Sequence, residues 1–226
     1  MNKIGMIAAM TGELNALLER MDGVEEISSI GNRKVLLARL AGKELYIIES
    51  GVGEILSASA TQHLISAYGV EAIINFGVCG SLKKKHGVKK TVLLEGVVHY
   101  EIDTTAIDDV QVGRYFFLPS KVIPLSEELL EKASALRPDL ERVVCASGNK
   151  FVAQESEKIY LSEQFGADVC EMEAAGIALT CHTNGIPCLM VKAVSDGEGG
   201  AEEFKATVFE ASRVYISLVL DLLKTL

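Results

Sequence analysis

The chain alternates between continuous apolar runs and segments with helical spacing, and polar residues gather where the runs end. Lys3-Ile4-Gly5-Met6-Ile7-Ala8-Ala9 is apolar without alternation, the pattern of a strand covered by helices on both faces. It gives way to Met10-Thr11-Gly12-Glu13, where Leu14, Leu17 and Leu18 begin a helical spacing. Val35 to Leu40 and Glu44 to Ile48 predict two strands, joined as a hairpin through Ala41-Gly42-Lys43. The second runs into Ser50-Gly51-Val52-Gly53, and a helix follows from Glu54 to about Tyr68, ended by Gly69. Ala72 to Phe76 is another apolar strand, closed by Gly77-Val78-Cys79-Gly80. A basic loop, Lys83-Lys84-Lys85-His86, precedes a strand from Thr91 to Leu94.

The second half continues the pattern. His99 to Val112 is polar and acidic without a period, which predicts a long loop of the kind that often carries function. Leu125 to Leu136 fits a helix, and Val143 to Ala146 a strand leading to Ser147-Gly148-Asn149-Lys150-Phe151. Glu155 to Phe165 reads as a helix, followed by a strand up to Cys170 and the turn Glu171-Met172-Glu173. The next helix reaches His182, is capped by Asn184-Gly185 and is kept from continuing by Pro187. Cys188 to Val194 is a buried strand ending in Ser195-Asp196-Gly197. Phe204, Val208, Ala211, Tyr215, Leu218, Val219 and Leu222 then mark the apolar face of one last helix.

Six apolar strands therefore end in glycines and short polar or acidic residues. In a largely parallel α/β sheet those ends lie on one side, where small ligands bind. The Glu171-Met172-Glu173 turn stands out, because two carboxylates among buried-looking neighbours are costly unless something pairs with them. No repeat, linker or low-complexity tract interrupts the pattern, so residues 1–226 are expected to form one domain.

Composition narrows this picture. Of 226 residues 49% are hydrophobic, ample material for a large core. The balance of 22 basic against 31 acidic residues, 22 − 31 = −9, argues against nucleic acid or an anionic membrane surface as a partner. Five widely spaced cysteines, Cys79, Cys145, Cys170, Cys181 and Cys188, contain no C-x-x-C pair and read as reduced thiols of a cytoplasmic protein. The start loosely mimics a signal peptide, but its apolar run soon reaches Glu13 and makes a good first strand. No window is apolar for the roughly 18 residues of a membrane span. His63, His99 and His182 lack metal-ligand spacing, and Cys79 has no basic partner that would make it a nucleophile. The lysines from Lys83 to Lys85 read as a solvated loop.

Taken together, Ile7-Ala8-Ala9-Met10 with Glu13, Ser50-Gly51-Val52-Gly53, Asn75-Phe76-Gly77, Ser147-Gly148 with Phe151, Glu171-Met172-Glu173-Ala174 and Ser195-Asp196 carry a family resemblance. The chain resembles the purine nucleoside phosphorylase/uridine phosphorylase superfamily over essentially its whole length. It is most similar to the 5′-methylthioadenosine/S-adenosylhomocysteine nucleosidases. The resemblance implies a three-layer α/β/α sandwich around a mixed, twisted central sheet. It also implies cleavage of a purine nucleoside N-glycosidic bond without metal or organic cofactor, by a homodimer whose partner lends part of the 5′ pocket. Residues 102–112 are the candidate for that loan.

The resemblance also distributes roles. A leaving purine must gain a proton at N7, and Asp196 is expected to supply it, oriented by Ser195. Glu173 matches the ribose-binding carboxylate and Met172 its packing partner, with Glu171 as a candidate support. Stabilising an oxocarbenium-like sugar calls for such a carboxylate. Glu13 matches the base that activates water. Phe151 and Val152 match the purine-stacking and backbone-reading positions, Met10 and Val52 are candidate walls, and Gly77, Val78 and Lys192 are expected beside the substrate. Several positions depart from the family. Val78 replaces a hydroxyl residue, Lys192 an Arg, Asn149 an Asp, and Asn75 stands where the phosphorylases place a phosphate-binding Arg. An acid in the first loop and no charge at Asn75 favour water over phosphate as the acceptor. A phosphorylase, or a nucleoside-binding protein without activity, is the alternative.

Overall fold

A computed structural model describes residues 1–226. The first half contains β1 (Lys3–Ala8), α1 (Thr11–Leu18), β2 (Glu25–Ile30), β3 (Arg33–Leu40), β4 (Lys43–Glu49), α2 (Glu54–Tyr68), β5 (Ala72–Ser81) and β6 (Thr91–His99). The second contains β7 (Ile123–Pro124), α3 (Glu127–Leu136), β8 (Glu141–Ser147), α4 (Glu155–Phe165) and β9 (Val169–Glu171). It ends with α5 (Ala174–Asn184), β10 (Cys188–Asp196), α6 (Gly200–Val214) and α7 (Ile216–Thr225).

All strands join one mixed sheet. β1 is parallel to β4 on one side and to β5 on the other, and β3 and β2 extend the β4 edge antiparallel. Beyond β5 the sheet curls. β10 is parallel to β5, β6 antiparallel to β10, β8 parallel to β6, and β9 parallel to β8 but antiparallel to β5. Five strands thus close on one another, which removes the edge that an open sheet would leave at the site.

Helices cover both faces, as the unbroken apolar strands require. Ile4, Met6 and Ala8 turn to one side with Leu14 and Leu17 of α1, Leu129 and Leu130 of α3, and Leu218 and Leu222 of α7. Ile7 turns to the other with Ala60 and Leu64 of α2 and Ile177 and Ala178 of α5. This is the expected three-layer arrangement. A smaller cluster sets Leu161 and Phe165 of α4 against Val98, Ala146 and Cys170. α2 and α5 approach closely at Gly176, where a Cβ would lie 2.4 Å from the Glu54 carbonyl oxygen.

Some elements differ from expectation. β2 is an extra edge strand, hidden in the sequence because Glu25, Glu26, Ile27 and Ser29 are all exposed and show no apolar period. β5 continues to Ser81 and β6 to His99, the latter past a register shift between Leu94 and Gly96. The final helix is two, α6 and α7, meeting at Tyr215. Its apolar face is as expected, but Val214-Tyr215-Ile216 is a branched and aromatic run that favours a break. The basic loop is only partly solvated. Lys83, Lys84 and Lys85 pair with Asp168, Glu198 and Glu141, and the His86 side chain is fully buried. The irregular loop from Tyr100 to Val122 is longer than the one expected.

Candidate active site

Strand register brings the polar strand ends together. Gly77 lies beside Lys192 and Gly80 beside Asp196 across the β5–β10 ladder, while Ser147 lies beside Glu171 across β8–β9. Between these ends is a cavity of about 280 Å³. Met10, Glu13, Val52 and Val78 line it from the first half of the chain, and Phe151, Val152, Glu171, Met172, Glu173, Ser195 and Asp196 from the second.

Glu13 sits in the first turn of α1 and points back over the end of β1. Its Oε2 accepts the N–H groups of Ala9 and Met10, both at 3.0 Å, and its Oε1 accepts that of Val78 at 2.8 Å. The side chain is 2% exposed. Burial pushes its carboxyl above the usual range, against the opposing pull of Lys192 and the three amides. Glycine at position 77 leaves this carboxylate its place, because a Cβ there would stand 2.6 Å from Glu13 Oε1.

The Glu171-Met172-Glu173 turn places its two acids differently. Glu171 Oε2 accepts the Glu173 N–H at 3.0 Å and the Lys192 ammonium at 3.2 Å, and both its oxygens lie 2.9 Å from the Ala174 N–H. It is therefore the internal partner that fixes the turn. Glu173 Oε1 accepts the Gly53 N–H at 2.8 Å, tying the turn to the start of α2. Burial and the neighbouring Glu171 carboxylate push the Glu173 carboxyl up to about 8. α2 is held in turn by Glu54, which accepts from Ser147 Oγ at 3.1 Å and lies 2.8 Å from His99 Nε2. Asn149 bridges this corner. Its Oδ1 accepts the Glu54 N–H at 2.9 Å and its Nδ2 donates towards Glu54 and Glu101. An Asp at 149 would add a third carboxylate here, so the departure from the family is matched to its surroundings. His99 itself does not line the cavity.

Asp196 ends β10 at the other side of the cavity. Ser195 Oγ donates to its Oδ1 at 3.0 Å, the pairing expected from sequence. Lys158 of α4 donates to its Oδ2 at 3.1 Å. Burial raises the Asp196 carboxyl, and the Lys158 ammonium opposes that rise. Phe151, at the rim, meets Phe204 of α6 edge to face with ring centres 5.4 Å apart.

Two expected residues do not line the cavity. Lys192 is 2% exposed and spent on Glu171, and the acids Glu171, Glu173 and Glu13 around it raise its pKa although burial alone would lower it. Gly77 serves by making room for Glu13. Asn75 is likewise inside the sheet, donating to the Ile7 carbonyl at 3.0 Å. Lys158 and Phe204 were not anticipated as site residues. Lys158 gives no signal in a polar helical stretch, whereas Phe204 showed only as part of an apolar helix face. The cavity is therefore acidic, with Glu13, Glu171, Glu173 and Asp196 in its wall and Lys150 its one basic lining residue.

A sequence profile of the phosphorylase superfamily matches residues 3–224. The aminodeoxyfutalosine nucleosidase of Campylobacter jejuni is 28% identical over 234 residues, covering 100% of both chains. A 5′-methylthioadenosine/S-adenosylhomocysteine nucleosidase of Shewanella halifaxensis is 29% identical over 232 residues, covering 99% of this chain and 100% of its own. Among solved structures, the futalosine hydrolase of Helicobacter pylori superposes with a TM-score of 0.94 at 28% identity, covering 100% of this chain and 98% of its own. The Neisseria meningitidis 5′-methylthioadenosine/S-adenosylhomocysteine nucleosidase in complex with methylthio-immucillin-A gives 0.93 at 29%, covering 100% of each.

Proposed function

The chain belongs to the phosphorylase superfamily, and we propose that it is a hydrolytic member that cleaves the N-glycosidic bond of purine nucleosides. The observation that carries this is that the cavity wall offers no free cation to an anion. Four carboxylates face it, and the one lysine, Lys150, is engaged by Glu157. Phosphate is an anion that needs cations or free amides. Here the amides of Ala9, Met10 and Val78 are already occupied by Glu13, and Asn75 and Lys192 point their polar atoms into the protein. Water needs only a base, and Glu13 offers one.

The division of labour is the one the family resemblance implies, and the geometry supports it. Asp196 donates a proton to N7 of the base as the C1′–N9 electron pair leaves with it. Ser195 holds the Asp196 carboxyl in place. Glu173 binds the ribose hydroxyls and carries charge complementary to the oxocarbenium-like sugar. Glu171, with Lys192 behind it, fixes the turn that presents Glu173. Glu13 accepts a proton from the attacking water, Phe151 and Val152 flank the base, and Met10, Val52, Val78 and Met172 supply apolar wall.

Substrates of the named relatives guide the choice of nucleoside. 5′-Methylthioadenosine and S-adenosylhomocysteine, named for one set of relatives, are the first nucleosides to try, and aminodeoxyfutalosine is the comparison to run beside them. We place the reaction in the cytoplasm, in keeping with five free, buried cysteines. A homodimer is part of the proposal. Ile107 is 86% and Phe116 80% exposed on the loop that would complete a neighbour's 5′ pocket.

The test is a panel of these nucleosides with and without phosphate, read for base and sugar products. Free base and free ribose derivative without phosphate are expected. Ribose 1-phosphate formed only with phosphate would replace hydrolysis by phosphorolysis, and tight binding without turnover of any nucleoside would remove the enzyme.

A further inference from the structure

Lys158 lies in the first turn of α4, in a stretch whose other charged residues face water. Its side chain is 7% exposed, and so is nearly as buried as that of Asp196 at 3%. The ammonium donates to Asp196 Oδ2 at 3.1 Å and to the Gly197 carbonyl at 2.5 Å. Ser195 Oγ occupies the other carboxyl oxygen. Both oxygens of Asp196 thus have a donor within the protein, one of them a cation. Behind Lys158 lies a second cavity of about 380 Å³, lined also by Lys83, Glu155, Glu198 and Glu203. Lys158 lines this second cavity, while its partner Asp196 lines the first.

A buried lysine beside an aspartate could be a purely structural ion pair. The position of this one argues for more, because its partner is the group assigned to protonate the leaving base. As N7 takes the proton, Asp196 becomes a carboxylate in a nearly closed site, where unpaired charge is expensive. A cation already in hydrogen-bond contact stabilises that carboxylate with no reorganisation.

Resting on the functional assignment made above, we propose that Lys158 is a positioning residue for the general acid. It holds the Asp196 carboxyl against the base and stabilises the carboxylate left when the proton has gone. Lys158 keeps its own protons throughout, and the one proton that moves goes from Asp196 to N7. The electron pair of the glycosidic bond goes to the base.

This role has a signature that a structural role lacks. Where Asp196 starts protonated, Lys158 stabilises the transition state more than the ground state, so its loss slows the reaction. Where Asp196 starts ionised, Lys158 stabilises the ground state more, so its loss costs less. The other groups near Asp196 are Glu203 from α6, Cys170 from β9, Cys79 from β5 and Ser195 on its own strand. None of them is a cation that takes over.

The experiment is kcat/KM for the best purine nucleoside from pH 5 to 10 in wild type, Lys158→Met, Lys158→Gln and Lys158→Arg, with circular dichroism and melting to certify folding. Lys158→Met and Lys158→Gln should lower the plateau about tenfold or more, short of the roughly 10²–10⁴-fold that loss of the acid itself costs. They should also move the alkaline limb up by about one pH unit, the usual scale of a charge neighbour's effect, so that the deficit shrinks with pH. Lys158→Arg keeps the charge and should leave the limb near its wild-type position. Gln retains a hydrogen-bond donor, so it reports on charge even where Met disturbs packing. An equal fold-loss at every pH in the neutral variants, or no loss, overturns the proposal. A wild type that releases no base from any nucleoside defeats the functional assignment itself, whereas an active wild type with parallel profiles defeats only the role of Lys158.

Discussion

The two ends of the cavity hold their acids by different means. At the Glu13–Glu173 end the carboxylates are gripped mainly by main chain: Ala9, Met10 and Val78 amides on Glu13, Gly53 on Glu173, and Ala174 on Glu171, which Lys192 also holds. At the Asp196 end the grip comes from two side chains, Ser195 and Lys158. Main-chain amides are fixed by the sheet and the helix starts, so their geometry survives most substitutions nearby. Side-chain partners are set one residue at a time and can tune a proton's affinity without altering the fold. That division suits the chemistry proposed here, in which the sugar end must hold a shape and the base end must give up a proton.

The largest effects should come from removing either acid. Asp196→Asn and Glu13→Gln are each expected to cost about 10²–10⁴-fold in kcat, the range for general acid–base groups. The two ends should be separable by pH. Loss of the acid should erase the alkaline limb of the kcat/KM profile, and loss of the base the acidic limb. Near-normal turnover by Asp196→Asn would take Asp196 out of the acid role, and one profile shared by both variants would dissolve the distinction between the ends.

How much of this was readable from residues alone follows the same divide. The strand ends were legible, because unbroken apolar runs stopping at glycines and acids mark sheet termini on one side. The turn acids were legible as a puzzle, since buried carboxylates need partners. Their partner was visible too, in retrospect: Lys192 is the one charge inside the apolar run Cys188 to Val194, and it answers Glu171. Assigning Lys192 to substrate missed that two buried anomalies can satisfy each other. Lys158 was not legible, because a lysine in a polar helix looks solvated until packing brings α4 against β10. The closing of five strands on one another was hidden as well, since β9 is three residues long and pairs in both senses.

A sharper strike at the main-chain end is Gly77→Ala. The added methyl would stand 2.6 Å from Glu13 Oε1, and either the carboxylate or β5 must move. Misplacing a reacting group by about 1 Å costs on the order of 10²-fold, so a loss of that size is expected with little change in melting temperature. Because β5 is buried along its whole length, the carboxylate is the part that yields. Activity within a few-fold of wild type would mean that the amide cage around Glu13 is not what positions it.

The smallest effect tests the same cage thermodynamically. In the empty site Glu173 titrates near 8 against an ordinary value of 4.5, raised first by burial and then by Glu171. The folded protein therefore holds a proton there that the unfolded chain has lost between those values. Its contribution to stability is full below about pH 4.5 and is lost as pH rises towards 8. Glu13 and Asp196 are raised in the same direction, so wild-type stability should decline over that window. Glu173→Gln carries no such proton. Relative to wild type it should gain stability steadily from pH 5 to 8, read as melting temperature at about 2–4 °C per kcal/mol for a chain of this size. A constant offset between the two proteins across that range would show that the Glu173 carboxylate is already ionised in the empty site. Its charge would then be balanced by the Gly53 amide and Lys192 rather than by a proton.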